Sequence, residues 1–372
     1  MYPSLIDAPL PSAPPSPFIV SESLNIDHGL MVLGALGGER YRVLYDAAET
    51  GTIPNLRRLL ELGVSPDYRI NGKLPIHIAT LKNRVIALDL LLRSDAEVNA
   101  IEKGGVTALH LAAEKGSLKM VNILIRYKAD VKKKTASKES PLHYAVRSRN
   151  VDVVRALVTA NADVNVRDTA QMTPLHRASQ LGSSAIVKFL CESKANITCP
   201  YGRRVTGTAL HLASDSGDLE SVSFLLGAGA EVDAKDENDN TPLVWAVKRG
   251  HVDVVNWLLA HKADPNRVLQ NKTTALHHAA SMGEDIVGLL LSSKADVNVL
   301  SDSKSSPIHY AAKSGNEVVL RSLLAHDADP TEKNIEGKTA LNYALEGKHD
   351  GIVRLLEDHI VKMPKKRGFF RG

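Results

Sequence analysis

The sequence predicts an all-α solenoid of helix-turn-helix units joined by hairpin-like fingers. Two observations carry that expectation: an internal period of 33 residues, and apolar residues at helical spacing inside each period. The run Thr107-Ala108-Leu109-His110-Leu111-Ala112 recurs nine times, starting at Leu74, Thr107, Ser140, Thr173, Thr208, Thr241, Thr274, Ser306 and Thr339. The successive intervals are 33, 33, 33, 35, 33, 33, 32 and 33, a register that chance does not hold over 265 residues.

Each element of the repeat has a physical reason. Ser or Thr at the start is a good helix N-cap, and Pro follows at the first helical position in Thr173-Pro174 and Thr241-Pro242. The first helix should run for about nine residues, too short to persist alone in water. Small pairs such as Ala112-Ala113 let neighbouring helices approach closely. The second helix carries its apolar face at Val151, Val154, Leu157 and Val158. Neither helix buries its face unaided, so stacking on the next repeat supplies the core. Polar stretches such as residues 234–240 read as the turns between repeats.

The copies close on related endings: Ala96-Glu97-Val98-Asn99, Ala129-Asp130-Val131, Ala162-Asp163-Val164-Asn165 and Ala295-Asp296-Val297-Asn298. With its Thr-Pro-Leu-His-x-Ala start and Ala-Asp-x-Asn end, the repeat resembles the ankyrin repeat over roughly residues 40 to 360. The resemblance implies fingers at right angles to the helices and a histidine that bridges backbone groups of the turns. It also implies partner binding through the finger tips and the concave face of the first helices. The family favours Gly just past the second helix. This chain has Asp95, Lys128, Asn161, Lys194, Lys262, Lys294 and Asp327 there, and keeps only Gly63 and Gly229. If the position is left-handed, each Lys costs about 1 kcal/mol against Gly.

A degenerate tenth copy at residues 40–70 reads as an N-terminal cap, and the copy containing Asn342 as a C-terminal cap, giving an array over 40–360. Residues 1–39 form a Pro/Ser-rich lead-in expected to be disordered, with a minimal PxxP match at Pro11-Ser12-Ala13-Pro14. Residues 361–372 form a basic tail. Neither flank has room for a catalytic domain. No apolar stretch reaches the 18 residues of a membrane span, and no signal peptide is evident. Two cysteines, Cys191 and Cys199, fit a reducing compartment, and Cys191 reads as a small buried hydrophobe. The expected location is therefore the cytoplasm, with the nucleus as an alternative raised by Lys365-Lys366-Arg367.

The chemistry-bearing residues point away from catalysis. Histidine fills the fourth position of seven copies, at His77, His110, His143, His176, His211, His277 and His309. Stacked repeats lie about 10 Å apart, whereas zinc ligands sit about 2 Å from one ion. Residues 33 apart cannot share a metal, so no metal or other cofactor is expected. No Gly-x-Ser-x-Gly turn supports a nucleophile, and Gly34-Ala35-Leu36-Gly37-Gly38 lacks the Lys-Ser/Thr of a phosphate loop.

What remains is surface. Basic residues crowd the fingers, with Lys132, Lys133, Lys134 and Lys138 in one, Arg167 in the next, and Arg203 and Arg204 beside Tyr201 in the lengthened finger after that. Lys82, Lys115, Arg147, Lys248, Arg249 and Lys313 fall on the first helices, against Glu114, Asp215 and Glu346. The candidate contact residues are Lys132, Lys133, Lys134, Arg147, Arg167, Tyr201, Arg203, Arg204, Lys248 and Arg249. Trp245, Tyr144, Tyr310 and Tyr343 share one column and read as packing residues. The expected function is a monomeric, non-catalytic adaptor whose protein partner has an acidic surface. The alternative is a regulatory factor that meets nucleic acid or anionic membrane through the same fingers; no stacking aromatics accompany the basic residues, which disfavours nucleic acid.

Overall fold

The computed structural model describes residues 37–202 and 206–363. Among them the regular structure is helical, apart from one isolated bridge between Ile70 and Lys73. The chain forms two compact units, one ending at Lys103 and one beginning at Gly104. The first holds α1 (Gly37–Thr50), α2 (Ile53–Glu61), α3 (Pro75–Leu81) and α4 (Val85–Arg93). The second begins with α5 (Ala108–Glu114), α6 (Leu118–Arg126), α7 (Pro141–Arg147), α8 (Val151–Thr159), α9 (Pro174–Gln180) and α10 (Ser184–Glu192). It continues with α11 (Ala209–Ser216), α12 (Leu219–Gly227), α13 (Pro242–Arg249), α14 (Val252–Ala260), α15 (Ala275–Ala279) and α16 (Glu284–Ser292). It ends with α17 (Pro307–Ser314), α18 (Glu317–Ala325), α19 (Ala340–Glu346) and α20 (Asp350–Lys362). The odd-numbered helices are the first helices of the repeats and the even-numbered ones the second.

Within the second unit, first helices pack on first helices and second on second, as α5 on α7 and α10 on α12. The small pairs make this possible: Ala112, Ala113 and Ala213 are wholly buried where helices meet. The second helices add Met120, Val121 and Leu124 from α6 and Val153, Val154 and Leu157 from α8, also wholly buried. From α3 onward the first helices are shorter than the sequence suggests. Helix α5 has seven residues and α15 only five. Such helices are held by their partners and not by their own propensity.

The caps explain how so short a helix starts. The residues opening the first helices are extended, as expected of an N-cap, but their hydroxyls behave differently from the simple expectation. Only Thr173 and Thr241 accept the backbone N–H three residues on. At most starts the hydroxyl meets the ring of the fourth-position histidine, as Thr107 Oγ1 does at 2.8 Å from His110 Nδ1, while Leu74 has no hydroxyl and Thr339 Oγ1 meets Asn342 Oδ1. That Nδ1 also accepts the backbone N–H of Thr107 at 3.2 Å. An Nδ1 that accepts leaves the proton on Nε2, which donates to a carbonyl in the following finger. His143 reaches Met172 O at 3.2 Å, His176 reaches Cys199 O at 2.9 Å and His211 reaches Asn240 O at 3.1 Å. The histidines thus tie helix start to finger end, the role implied by the resemblance.

Burial of these rings lowers His77, His110, His176 and His277 to about 4, and lowers His143, His211 and His309 as well. A protonated ring would present an N–H to the backbone N–H it now accepts.

Every residue just past a second helix where Gly was expected is left-handed. Lys128, Lys194, Lys262 and Lys294 have φ of 62°, 64°, 68° and 65°, and Asp95, Asn161 and Asp327 have 62°, 70° and 64°. The departure from Gly therefore carries a conformational penalty at each lysine, repeated along the array.

Two outcomes follow. Lys194→Gly should raise the free energy of unfolding by about 0.5–1 kcal/mol in urea titration, a stabilising lysine-to-glycine change. Because the folded-state histidine pKa lies below its unfolded value, the unfolded chain takes up protons first as pH falls. The stability present above pH 6.5 should therefore be lost as pH falls from 6.5 toward about 4, read as a declining urea midpoint at constant ionic strength.

Candidate partner-binding surface

Five of the fingers are tight turns closed by one polar side chain at the base. Asp168 Oδ1 accepts the N–H groups of Ala170 and Met172 at 2.8 and 2.9 Å. Asp236 repeats this with Asn238 and Asn240, and Asn334 with Glu336 and Lys338. Thr135 and Ser301 supply a hydroxyl for the same purpose, to Glu139 N and Ser305 N. Successive fingers are joined edge to edge by backbone bonds: Ala136 N to Gly104 O at 2.7 Å, Thr169 N to Ser137 O at 2.9 Å, and Gly202 N to Ala170 O at 3.0 Å.

A second ladder runs along the finger stems. Asn165 Oδ1 accepts Asn196 N at 2.7 Å, Asn266 Oδ1 accepts Asp296 N at 2.7 Å, and Asn298 Oδ1 accepts Asp329 N at 2.9 Å. The equivalent residue one repeat before Asn165 is Lys132. An ammonium has no acceptor, so this rung cannot form from residue 132. The lysine replaces a structural carboxamide with an outward charge.

The sequence-derived contact residues divide into three groups. Lys132, Lys133 and Lys134 are all exposed, and among the described residues their ammonium groups form no ion pair. Arg167 lies in the adjacent finger, its guanidinium turned back to Gln171 Oε1 at 3.4 Å and to Cys199 Sγ. Arg203 and Arg204 lie outside the described residues.

The second group is neutralised. Arg147 pairs with Glu139 at 2.6 Å and Glu114 at 3.4 Å while its guanidinium stacks 4.0 Å above the Tyr144 ring. Arg249 grips Asp215 through Nε at 2.6 Å and Nη2 at 3.2 Å. Lys82, likewise on a first helix, pairs with Glu49 at 3.0 Å. The first-helix face is thus far less positive than a count of its lysines and arginines suggests.

Lys248 stands apart. Its Nζ donates to Asn240 Oδ1 at 2.8 Å, and no carboxylate among the described residues pairs with it. Although the residue is exposed, its ammonium end is sheltered, and burial lowers its pKa against the opposing pull of Asp236.

Tyr201 serves the aromatic column. His110 meets Tyr144 edge-on with centroids 5.0 Å apart, His211 meets Trp245 at 5.5 Å, and His277 meets Tyr310 at 5.5 Å. The helical residue in this column of the fifth copy is Leu212, and Tyr201 reaches in from the finger to stand 5.3 Å from His176. Trp245 adds a bond from Nε1 to Asp236 Oδ2 at 3.0 Å. Tyr144, Trp245 and Tyr310 pack, as read from the sequence, whereas Tyr201, read there as a contact residue, packs against His176 as well.

Sequence reasoning missed the pairing rule beneath this face. The residue before the cap and the eighth residue after it meet across the helix start: Glu139 with Arg147, Lys338 with Glu346, Asn240 with Lys248. The eight-residue offset was present in the sequence as a charge pattern. It missed as well the Asp168–Arg177 pair at 2.8 Å, whose carboxylate is almost wholly buried. Cys191 is only half-buried, not fully, and its thiol is pushed up to about 11 by burial, far from a reactive thiolate. Cys199 is the buried one. Among the described residues no group of three His, Cys, Asp or Glu side chains could hold a metal ion, and no helix is long and apolar enough to cross a membrane.

An array of helix pairs with projecting turns, each repeat stacked on the next, is a helical-repeat architecture. A family model for ankyrin repeats in sets of three matches residues 44–135, 87–168, 128–201, 210–301 and 295–366. The chain belongs to the ankyrin-repeat family. The crystal structure of the human ASB11 ankyrin repeat domain superposes with a TM-score of 0.56 at 28% identity, covering 60% of this chain and all of that one. Among curated proteins, the mouse (Mus musculus) B-cell lymphoma 3 protein homolog is 39% identical over 77 residues, 20% of this chain and 17% of that protein. Palmitoyltransferase AKR1 of Kluyveromyces lactis is 43% identical over 79 residues, 21% of this chain and 10% of its own length. The L-asparaginase of Dirofilaria immitis is 35% identical over 79 residues, 21% and 13%. The chain therefore spans less than a fifth of these relatives, and what it shares with the two enzymes is their ankyrin region.

Arg147→Ala should cost about 1–3 kcal/mol in chemical denaturation, because it leaves the largely buried Glu139 carboxylate without its partner. Arg249→Ala, at an exposed pair, should have the smaller effect in the same assay.

Proposed function

We propose that this ankyrin-repeat chain is a non-catalytic adaptor that captures an acidic protein surface through the finger carrying Lys132, Lys133 and Lys134. The single observation that supports this reading is the contrast in charge pairing. Arg147 and Arg249 are held by carboxylates of their own chain, whereas the three adjacent finger lysines are exposed and form no ion pair among the described residues, and the first stands where a rung-forming Asn or Asp would serve stability. Unpaired like charges held together on a rigid edge raise the local potential and speed encounter with an opposite surface. Arg167 in the next finger extends the same edge, and Arg203 and Arg204 follow in sequence.

The adaptor is read as a monomer acting in a reducing compartment, the cytoplasm, with its array spanning residues 40–360. Lys132→Gln, Lys133→Gln and Lys134→Gln together should weaken capture of the acidic partner by about tenfold or more while helical circular dichroism and the urea midpoint stay unchanged. Pull-down from the native cell at low and high salt measures it. Capture by the triple variant equal to wild type would move the contact elsewhere. Loss of a nucleic-acid ligand, with a steep log–log salt slope, would favour the alternative reading.

A further inference from the structure

Between the finger at Asn238–Asn240 and the one at Leu269–Asn271 lies a recess of about 300 Å³, lined by Asn238, Asn240, Lys248, Leu269, Gln270, Asn271 and His278. Lys248 is its single charged wall residue. A second recess of about 380 Å³ shares Asn238, Asn240 and Lys248, but its far side carries Asp215, Asp236 and Arg249.

Two groups in the first recess keep N–H donors in hand. Lys248 gives one N–H to Asn240 Oδ1, leaving two on the ammonium. Asn271 Oδ1 is occupied, accepting from Thr273 N at 3.2 Å and Thr273 Oγ1 at 2.6 Å, so its amide nitrogen is the end left to donate. Because the Thr273 hydroxyl donates to Asn271, its oxygen accepts from His278 Nε2 at 3.4 Å. At the same register Arg147 faces Glu139, while Lys248 faces a neutral amide. Asp215, the acid of the preceding first helix, is taken by Arg249. Asp236 is enclosed by Asn238 N, Asn240 N, Asn240 Nδ2 and Trp245 Nε1.

We infer that this recess is a receptor for a single carboxylate, the side chain of a Glu or Asp on a partner protein, with Lys248 as its counter-ion and the Asn271 amide as a second donor. One negative charge completes the ion pair that the chain leaves open at this position. A doubly charged phosphate fits less well, since Asp236 stands behind Lys248 and repels each added negative charge. The inference rests on the adaptor reading of the chain but uses a different surface from the Lys132 finger.

The test needs no partner. The full chain, labelled with nitrogen-15, is titrated with N-acetyl-glutamate α-amide, with its neutral glutamine counterpart, and with inorganic phosphate. The glutamate compound should bind saturably with a dissociation constant on the order of 1 mM, as befits a small ligand with one ion pair. It should move the side-chain amide signals of Asn240 and Asn271 and the ring signals of His278. Lys248→Gln should weaken it about tenfold, whereas Lys248→Arg, which keeps the charge, should stay within about threefold. Equal shifts from the glutamine compound, tighter binding of phosphate, or no shift with the glutamate compound at 20-fold the expected constant would each overturn the assignment. None of those results touches the finger reading, which the Lys132–Lys134 triple variant tests separately.

Discussion

The fourth-position histidine is the interaction on which the rest of the structure depends. From α3 onward a first helix has only five to eight residues and cannot hold itself together, and a finger without a strand ladder has few bonds of its own. The imidazole joins them because its two nitrogens serve opposite needs. One accepts the orphan N–H at the helix start, and the other donates to a carbonyl at the end of the following finger. Only a neutral ring has that polarity. The arrangement therefore requires burial, and burial in turn holds the ring neutral. Where Val244 replaces the histidine, Thr241 caps the helix directly.

Once the fingers are fixed, their charges fall into two populations with different physics. Side chains on the first-helix face look across a short gap at the preceding finger and helix, where Arg147 and Arg249 meet carboxylates of the same chain. Lys338, at a finger end, meets Glu346 of the following first helix in the reverse sense. Side chains at the finger edge look outward, and Lys132, Lys133 and Lys134 find no such partner among the described residues. A formal charge of +4 says little about this division. Position relative to the cap decides whether a lysine is neutralised or presented.

Stability and presentation pull against each other at two kinds of site. Left-handed lysines past the second helices accept backbone strain that glycine would avoid. Lys132 also gives up a rung of the stem ladder that Asn165, Asn266 and Asn298 keep. An array that adds many nearest-neighbour interfaces tolerates such local losses, since no single repeat carries the whole fold.

The sequence by itself determined the period, the order of helices and the capping residues, because each rests on local chemistry repeated many times. The left-handed positions and the bridging role of the histidine were implied by the resemblance to the family, while the spacing argued only that residues 33 apart cannot share an ion. The contact surface was legible only as a list of cations. Which of them are paired depends on distances between residues eight or more than thirty positions apart, as for Glu139 with Arg147 and Asp215 with Arg249. Such distances are set by the stacking of one repeat on the next. The open counter-ion position at Lys248, and Tyr201 reaching from a finger into the aromatic column, exist only once that stacking has brought separate repeats together.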